Sequence, residues 1–255
     1  ETGLQDKVVI ITGGAGGIGR AAGKLFVDEG AYVLLVDLNE AALKDAVSEI
    51  GSNAVSYFIG DVTSAADNDA MVACAEERYG GVDGFLANAG IEGDVAPIGE
   101  YDEARFDQVM AINVKGPFLG IKSVTPAMLK RGGGSVVITS SIAGVTGTAG
   151  ISAYNASKHA VIGLMRSAAK ELAAQNIRVN TVNPSPVETE MMRRLERGIA
   201  GEEGAEQARA GMAAQIPLQR YGEPTDIARM MLHLVSDDSD FITGSVNMVD
   251  GGMTA

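Results

Sequence analysis

Val8-Val9-Ile10-Ile11-Thr12-Gly13-Gly14-Ala15-Gly16-Gly17-Ile18-Gly19 is the stretch that decides the fold. A short apolar run of this kind suits a buried strand, and the glycines after it supply a turn where main chain comes close to a ligand. A helix-like stretch follows to near Gly30, and Val33-Leu34-Leu35-Val36 then opens a second apolar run. The same alternation continues through residues 54–59, a helical stretch at 67–79, and apolar runs at 82–87, 136–140 and 177–182. Repeated strand–helix units predict a Rossmann-type α/β fold, a doubly wound parallel sheet with helices on both faces.

The 255 residues fit one such domain, since no composition break, proline-rich linker or repeat divides the chain. Residues 188–215, charged, alanine-rich and punctuated by glycine, are expected to form a mobile helical lid. A hydrophobic fraction of 46% is enough for a sizeable interior. The formal charge of -13 opposes long-range attraction to nucleic acid or to an anionic membrane. No apolar run approaches the ~20 residues that span a bilayer, and the start of the sequence has no secretory pattern, so a cytoplasmic location is expected. Cys74 is the single cysteine and cannot form an internal disulfide; with His159 and His233 it makes no zinc set, so no metal is expected.

In the glycine turn, Gly13, Gly16, Gly17 and Ile18 are placed to hold a pyrophosphate at a helix N-terminus through free N–H groups and the helix dipole. The alternative is a plain tight turn. Asp37 follows the second apolar run at roughly the 20-residue offset where a carboxylate accepts hydrogen bonds from ribose hydroxyls. It would repel a 2′-phosphate, and neither Gly16 nor Leu38 supplies a cation to neutralise one, so NAD is expected over NADP. Asp61, ahead of Val62, is a candidate for the adenine side, with capping of the next helix as its alternative. Tyr154 and Lys158 stand one turn apart on an expected helix and share a face; by spacing alone such a pair is ordinarily a surface one. To act as a base near neutrality a tyrosine needs a pKa depression of about three units, roughly 4 kcal/mol. A neighbouring ammonium can supply part of that, and an oxidised nicotinamide more.

Taken together, Thr12-Gly13 with Gly17 and Gly19, Asn88-Ala89-Gly90, Asn113, Ser140-Ser141, Tyr154 with Lys158, Asn183-Pro184 and Val249-Asp250-Gly251-Gly252 resemble the short-chain dehydrogenase/reductase family over nearly the whole length. The resemblance implies Tyr154 as general acid/base, with Lys158 tuning it and holding the nicotinamide ribose. It implies Ser141, chosen over Ser140 by its interval to Tyr154, as holder of the substrate oxygen. Asn113 would hold a water between Lys158 and solvent; its alternative is a buried asparagine satisfied by backbone. Asn88, Ala89 and Gly90 would lie beside the cofactor, and Pro184, Val187 and Thr189 would contact the nicotinamide. Ser185 stands where the family commonly has glycine, ahead of Pro186, which leaves that loop's path open. The family also implies a homotetramer.

Substrate contacts are expected from Ser141 and Tyr154 and from the apolar Ile142, Ile151, Ile91, Val95, Met191 and Met192, with Glu92 the exception, read as a solvated residue. The expected activity is NAD-dependent hydride transfer involving a small, moderately apolar secondary alcohol, cyclic or aromatic, or its ketone. Two alternatives stand beside it: reduction of a 3-oxoacyl chain on acyl-carrier protein, and a non-catalytic dinucleotide-binding regulatory protein.

Overall fold

A computed structural model describes residues 2–255. Strands β1 (Val8–Thr12), β2 (Tyr32–Asp37), β3 (Val55–Ile59), β4 (Gly84–Ala87), β5 (Gly134–Thr139), β6 (Ile177–Pro184) and β7 (Val246–Val249) form one sheet in the order β3-β2-β1-β4-β5-β6-β7. All its pairings are parallel, so each connection has to cross back over a face. Helices α1 (Gly17–Asp28), α2 (Glu40–Ile50), α3 (Ala65–Tyr79), α4 (Glu103–Met110), α5 (Gly116–Lys130), α6 (Ser152–Leu172), α7 (Glu190–Gln215) and α8 (Pro224–Val235) occupy the links. No helix among the described residues is long and apolar enough to cross a membrane.

The unbroken apolar runs have a direct cause. Val8 and Ile10 face a core with Met71 of α3, Val124 of α5 and Val161 of α6. Val9 and Ile11, one residue out of phase, face the opposite core with Phe26 of α1 and Met231 of α8. A strand covered on both faces cannot alternate apolar with polar. Phe26 is fully buried, and cutting it back to alanine should cost about 3–5 kcal/mol.

Six of the strands coincide with the apolar runs, and β7 is the addition. Its four residues Val246-Asn247-Met248-Val249 are interrupted by a polar side chain, too short a signal to stand alone. β6 also runs two residues further than expected, to Pro184. Its pairing with β5 stops at Val182 while that with β7 continues to Pro184, so proline's missing N–H costs no bond on the β5 side.

The chain leaves β1 toward β2 on one side, and β4 lies on the other. This reversal of strand order opens a crevice beyond the carboxyl ends of β1 and β4. Across it lies α7, broken at Gly201 (φ 72, ψ 173) into two arms. Glu188 receives Arg193 from the first arm and Arg209 from the second. Of the expected segment 188–215, residues Glu190–Gln215 are helical, as two arms clasped through Glu188.

Candidate active site

The crevice continues into a cavity of about 570 Å³. Gly13, Gly16, Gly17, Ile18, Asp37, Asn88, Ala89 and Gly90 line one end, and Pro184, Val187 and Thr189 lie along its wall. Gly13 adopts φ 64, and a Cβ there would lie 2.9 Å from Ala89 Cα, so only glycine fits both the backbone and the space. A Cβ on Gly17 would approach Thr189 Cγ2 to 3.2 Å. Gly16 is the N-cap of α1; no side chain caps it and no acidic residue sits in the first turn. The helix therefore presents unsatisfied N–H groups and the positive end of its dipole to the cavity. A cradle that any side chain would fill, at an uncapped helix start, fits a dinucleotide's pyrophosphate.

Asp37 ends β2, and its carboxylate accepts from the backbone N–H of Leu38 at 2.8 Å and of Ala15 at 3.3 Å. Those bonds fix the carboxylate beside the glycine turn and leave lone pairs for vicinal hydroxyls. Arg20 is the cation nearest in the bonding network, through Ala15. Its guanidinium is spent on Ala15 O at 2.7 Å, Ala42 O at 3.0 Å and Glu49 at 3.1 Å.

Asn88 ties three strands together. Its Nδ2 donates to Thr12 O at 3.2 Å, its Oδ1 accepts from Thr139 Oγ1 at 3.0 Å, and its backbone N–H donates to Thr12 Oγ1 at 3.1 Å. The crevice is held at the width these bonds set.

On α6, Tyr154 and Lys158 line the same cavity, with Lys158 Nζ 5.4 Å from the tyrosine ring centroid. Lys158 Nζ donates to Thr139 O at 2.9 Å. Burial disfavours its ammonium and lowers its pKa to about 8. The expected depression of Tyr154 is corrected here: burial raises the pKa of its phenol, the Ser141 hydroxyl opposes that, and the Glu92 charge adds to it. Desolvation of the phenolate is the largest cause, and the Lys158 ammonium donates to a carbonyl.

Ser141, extended at φ -171 after β5, lines the cavity, and its Oγ accepts from Ala143 N–H at 3.1 Å. Its hydroxyl is directed to Tyr154, whose ionised form it favours. Ser140 Oγ instead donates to Lys158 O at 3.0 Å, which makes it a brace for α6. Asn183, which the sequence shows only as part of a motif, donates from Nδ2 to Ser141 O at 2.8 Å and so aims that serine.

Asn113 is 1% exposed and does not line the cavity. Its Nδ2 donates to Ile91 O at 2.9 Å and Ser157 Oγ at 3.0 Å, and its Oδ1 accepts from Ile91 N–H at 2.9 Å. Both amide N–H groups are thus used, and only an oxygen of the residue could hold a water. The residue occupies a π-helical turn, Ala111–Lys115, between α4 and α5, a distortion without a composition signal.

Three expected cofactor contacts fall outside the cavity lining: Leu38, Asp61 and Val62. Leu38 is exposed. Asp61 turns its Oδ1 to Thr63, accepting from Oγ1 at 2.7 Å and the backbone N–H at 2.8 Å. It does not cap α3 either, because Ser64 does. Val62 packs toward Gly116. Ser185, in contrast, is accommodated: it is not among the residues with positive φ, and its N–H donates to Val249 O at 3.3 Å.

At the far end, Ile142, Ile151, Val95, Met191 and Met192 line the cavity, whereas Ile91 does not. Leu195, Ile199, Met212 and Met253 join them, and nothing local in the sequence marks these four. Glu92 is not free in solvent: it is 14% exposed and pairs with Arg194 of α7 at 2.6 Å.

A family model described as enoyl-(acyl carrier protein) reductase matches residues 13–254. Levodione reductase from Leifsonia aquatica is 38% identical over 100% of this chain and 96% of its own length. The chain belongs to the short-chain dehydrogenase/reductase family. As a member it is an oxidoreductase acting on an alcohol or its ketone with a nicotinamide cofactor. The 3-oxoacyl-[acyl-carrier-protein] reductase of Thermotoga maritima is likewise 38% identical, over 98% of both chains. In three dimensions the family likeness is close. The crystal structure of levodione reductase superposes with a TM-score of 0.94 over 97% of both chains. That of NAD+-bound xylitol dehydrogenase does so with 0.93, at 33% identity over 98% of this chain and 99% of that one.

Proposed function

We propose that the chain is an NAD-dependent dehydrogenase/ketoreductase for a compact, moderately apolar secondary alcohol or its ketone. The observation that carries this reading is that Ser141, Tyr154 and Lys158 line one cavity with Gly13, Gly17 and Asp37. A proton-transfer group and a dinucleotide cradle share a space closed by α7. Gly13, Gly16, Gly17 and Ile18 would hold the pyrophosphate. Asp37 would hold the adenosine ribose, Lys158 with Asn88, Ala89 and Gly90 the nicotinamide ribose, and Pro184, Val187 and Thr189 the nicotinamide end. When bound, the nicotinamide supplies or accepts the hydride and, in its oxidised form, a positive charge.

Tyr154 moves the proton at the substrate oxygen, and Ser141 Oγ–H donates to that oxygen as charge develops on it. Burial keeps the phenol protonated, which readies it as the acid for ketone reduction. Alcohol oxidation requires its ionised form, which the Lys158 ammonium favours only below about pH 8. Asn113, with its amide spent on Ile91 and Ser157, positions the loop after β4 and α6.

Asp37 supports NAD by its charge, and Arg20 by being engaged elsewhere. Asp37 and the charge of -13 also count against the carrier-protein reading, since such reductases usually take NADPH and an acidic carrier would be repelled. We further propose a homotetramer, which would cover Phe106 and Phe118, 36% and 49% exposed on α4 and α5. The deciding experiment is a spectrophotometric screen of secondary alcohols, diols, sugars, hydroxysteroids and matching ketones with NAD(H) and NADP(H). NAD-linked turnover of ring alcohols or ketones is expected; turnover of 3-oxoacyl thioesters with NADPH alone would overturn the proposal, as would cofactor binding without turnover of anything.

A further inference from the structure

The substrate-facing wall of the cavity is mostly apolar; beyond Ser141 and Tyr154 it carries the uncharged polar Thr148 and Gln215 and one charged pair. Of the charged side chains that line the cavity, Asp37 and Lys158 belong to the cofactor side, and Glu190 is exposed and paired with Arg197 at 2.8 Å. Glu92 and Arg194 remain. Glu92 is held by main chain locked to the catalytic centre: Ile91 is pinned through both its N–H and its C=O by Asn113. A Cβ on Gly90 would lie 3.5 Å from Lys158 Nζ, so the segment 90–92 runs from the reacting groups toward the lid.

Arg194 meets Glu92 with two of its nitrogens, Nε at 2.6 Å and Nη2 at 3.4 Å. A guanidinium carries five N–H donors in a fixed fork, and these two bonds leave Nη1 and the second hydrogen of Nη2 without partners among the described residues. The pair is formally neutral. An anionic substrate would meet the Glu92 carboxylate as well as the guanidinium, while a wholly apolar ring would cover donors and give nothing back. A neutral oxygen satisfies both conditions.

We propose that Arg194, oriented by Glu92, is a specificity-determining residue that donates to a second, uncharged oxygen of the substrate. The preferred substrates are then diols, hydroxyketones or diketones whose second oxygen lies across the molecule from the reacting one. This rests on the dehydrogenase reading for the first oxygen, at Ser141 and Tyr154. The charge of Glu92 reaches the Tyr154 phenol, which places both ends of such a substrate within one field. Sites that hydrogen-bond a buried substrate oxygen can reject its deoxy analogue by ~10⁴ or more. Arg194 is half exposed, so water can partly replace the missing oxygen, and about tenfold is expected.

The test is calorimetric binding of cyclohexane-1,4-dione and of cyclohexanone to the protein loaded with NAD+, which has no hydride to give a ketone. The wild type should bind the dione about tenfold tighter. Arg194→Met should bring the ratio to within twofold of one, and Glu92→Gln should lower it at least threefold by releasing the fork. Arg197→Met, on the same arm of α7, should leave the ratio intact and so separates recognition from damage to the lid. Should Arg194→Met fail to fold, Arg194→Leu, which also has no donor, gives the same reading. A wild-type ratio near one, a tenfold ratio that survives loss of Arg194, or its loss in Arg197→Met overturns the proposal. Failure to oxidise NADH with either ketone would count against the dehydrogenase reading alone, because the binding ratio does not depend on turnover.

Discussion

At one end of the cavity Gly13, Gly16 and Gly17 present main chain; at the other Met191, Met192, Leu195 and Ile199 present side chains from a kinked helix. The first surface is fixed by φ angles and by the Asn88 bonds across three strands. The second depends on how two arms of α7 sit against Val95 and Ile151. A backbone surface recognises what many ligands share, a phosphate or a ribose, whereas a side-chain surface can change one residue at a time without disturbing the sheet. Recognition of cofactor and of substrate should therefore be separable by mutation, with the proton-transfer group between them belonging to neither.

The largest expected effect tests that middle ground. Tyr154→Phe should lower kcat by about 10²–10⁴ while NAD+ binding, followed by fluorescence titration, stays within about twofold. Loss of cofactor affinity in proportion to activity would place the phenol in the cofactor half.

Next comes the lysine, read through stability. Lys158 has a folded pKa of about 8 against 10.5 for the free group. Between those values the unfolded chain binds more protons than the folded one, so stability rises with pH across that window. The penalty of burying the ammonium is present in full below pH 8. Relative to Lys158→Met, the wild type should gain about 2 kcal/mol between pH 7 and pH 10, measured as urea midpoints at the two pH values. Equal gains in both proteins would show that the buried amine does not titrate there.

Which of these features could be read without coordinates follows the same division. The parallel sheet and the glycine turn are legible because each is local, an apolar run and a glycine cluster; Asp37 and the Tyr154–Lys158 pair take their reading from context, since a turn aspartate or a surface pair fits the same local pattern. Asp61 is undecided by its local sequence because an aspartate after a strand can serve a turn as well as a ligand, and in the structure its Oδ1 bonds to Thr63. The Tyr154 shift misled because charge and burial act in opposite directions, and only the second depends on tertiary packing. Asn183 belongs to a motif that does not reveal its bond to Ser141, and Leu195, Met212 and Met253 carry no pattern that separates them from ordinary packing residues. Glu92 seemed solvated because its partner, Arg194, is a hundred residues away on α7.

Cofactor choice should change without touching the substrate end. Replacing Asp37 with Ser and Leu38 with Arg removes the carboxylate that repels a 2′-phosphate and places a cation beside it. A charge-assisted hydrogen bond of about 1.5–3 kcal/mol corresponds to a swing of roughly 10–100-fold in the NAD to NADP ratio of kcat/KM. The KM for the alcohol or ketone should stay within about twofold. A ratio that does not move would remove Asp37 from the ribose site; a large rise in substrate KM would mean that the two halves are mechanically linked.

The smallest effect is the mirror image. Met192 lines the cavity from the first arm of α7 and is half-buried, so Met192→Ala removes apolar contact from the substrate without opening the core. Methionine adapts its shape to irregular neighbours, and the loss of one or two methylene-sized contacts is worth about 1 kcal/mol. The KM for a ring ketone should rise about fivefold while NAD+ affinity remains unchanged, measured by initial rates and by fluorescence titration on the same preparation. The sign of any cofactor effect is what matters. Thr189, which caps α7, lies against Gly17 of the phosphate turn, so a loosened α7 would be felt at the pyrophosphate. Weaker NAD+ binding in Met192→Ala would therefore mean that the lid moves as one body and that the substrate surface cannot be altered independently of the cofactor surface.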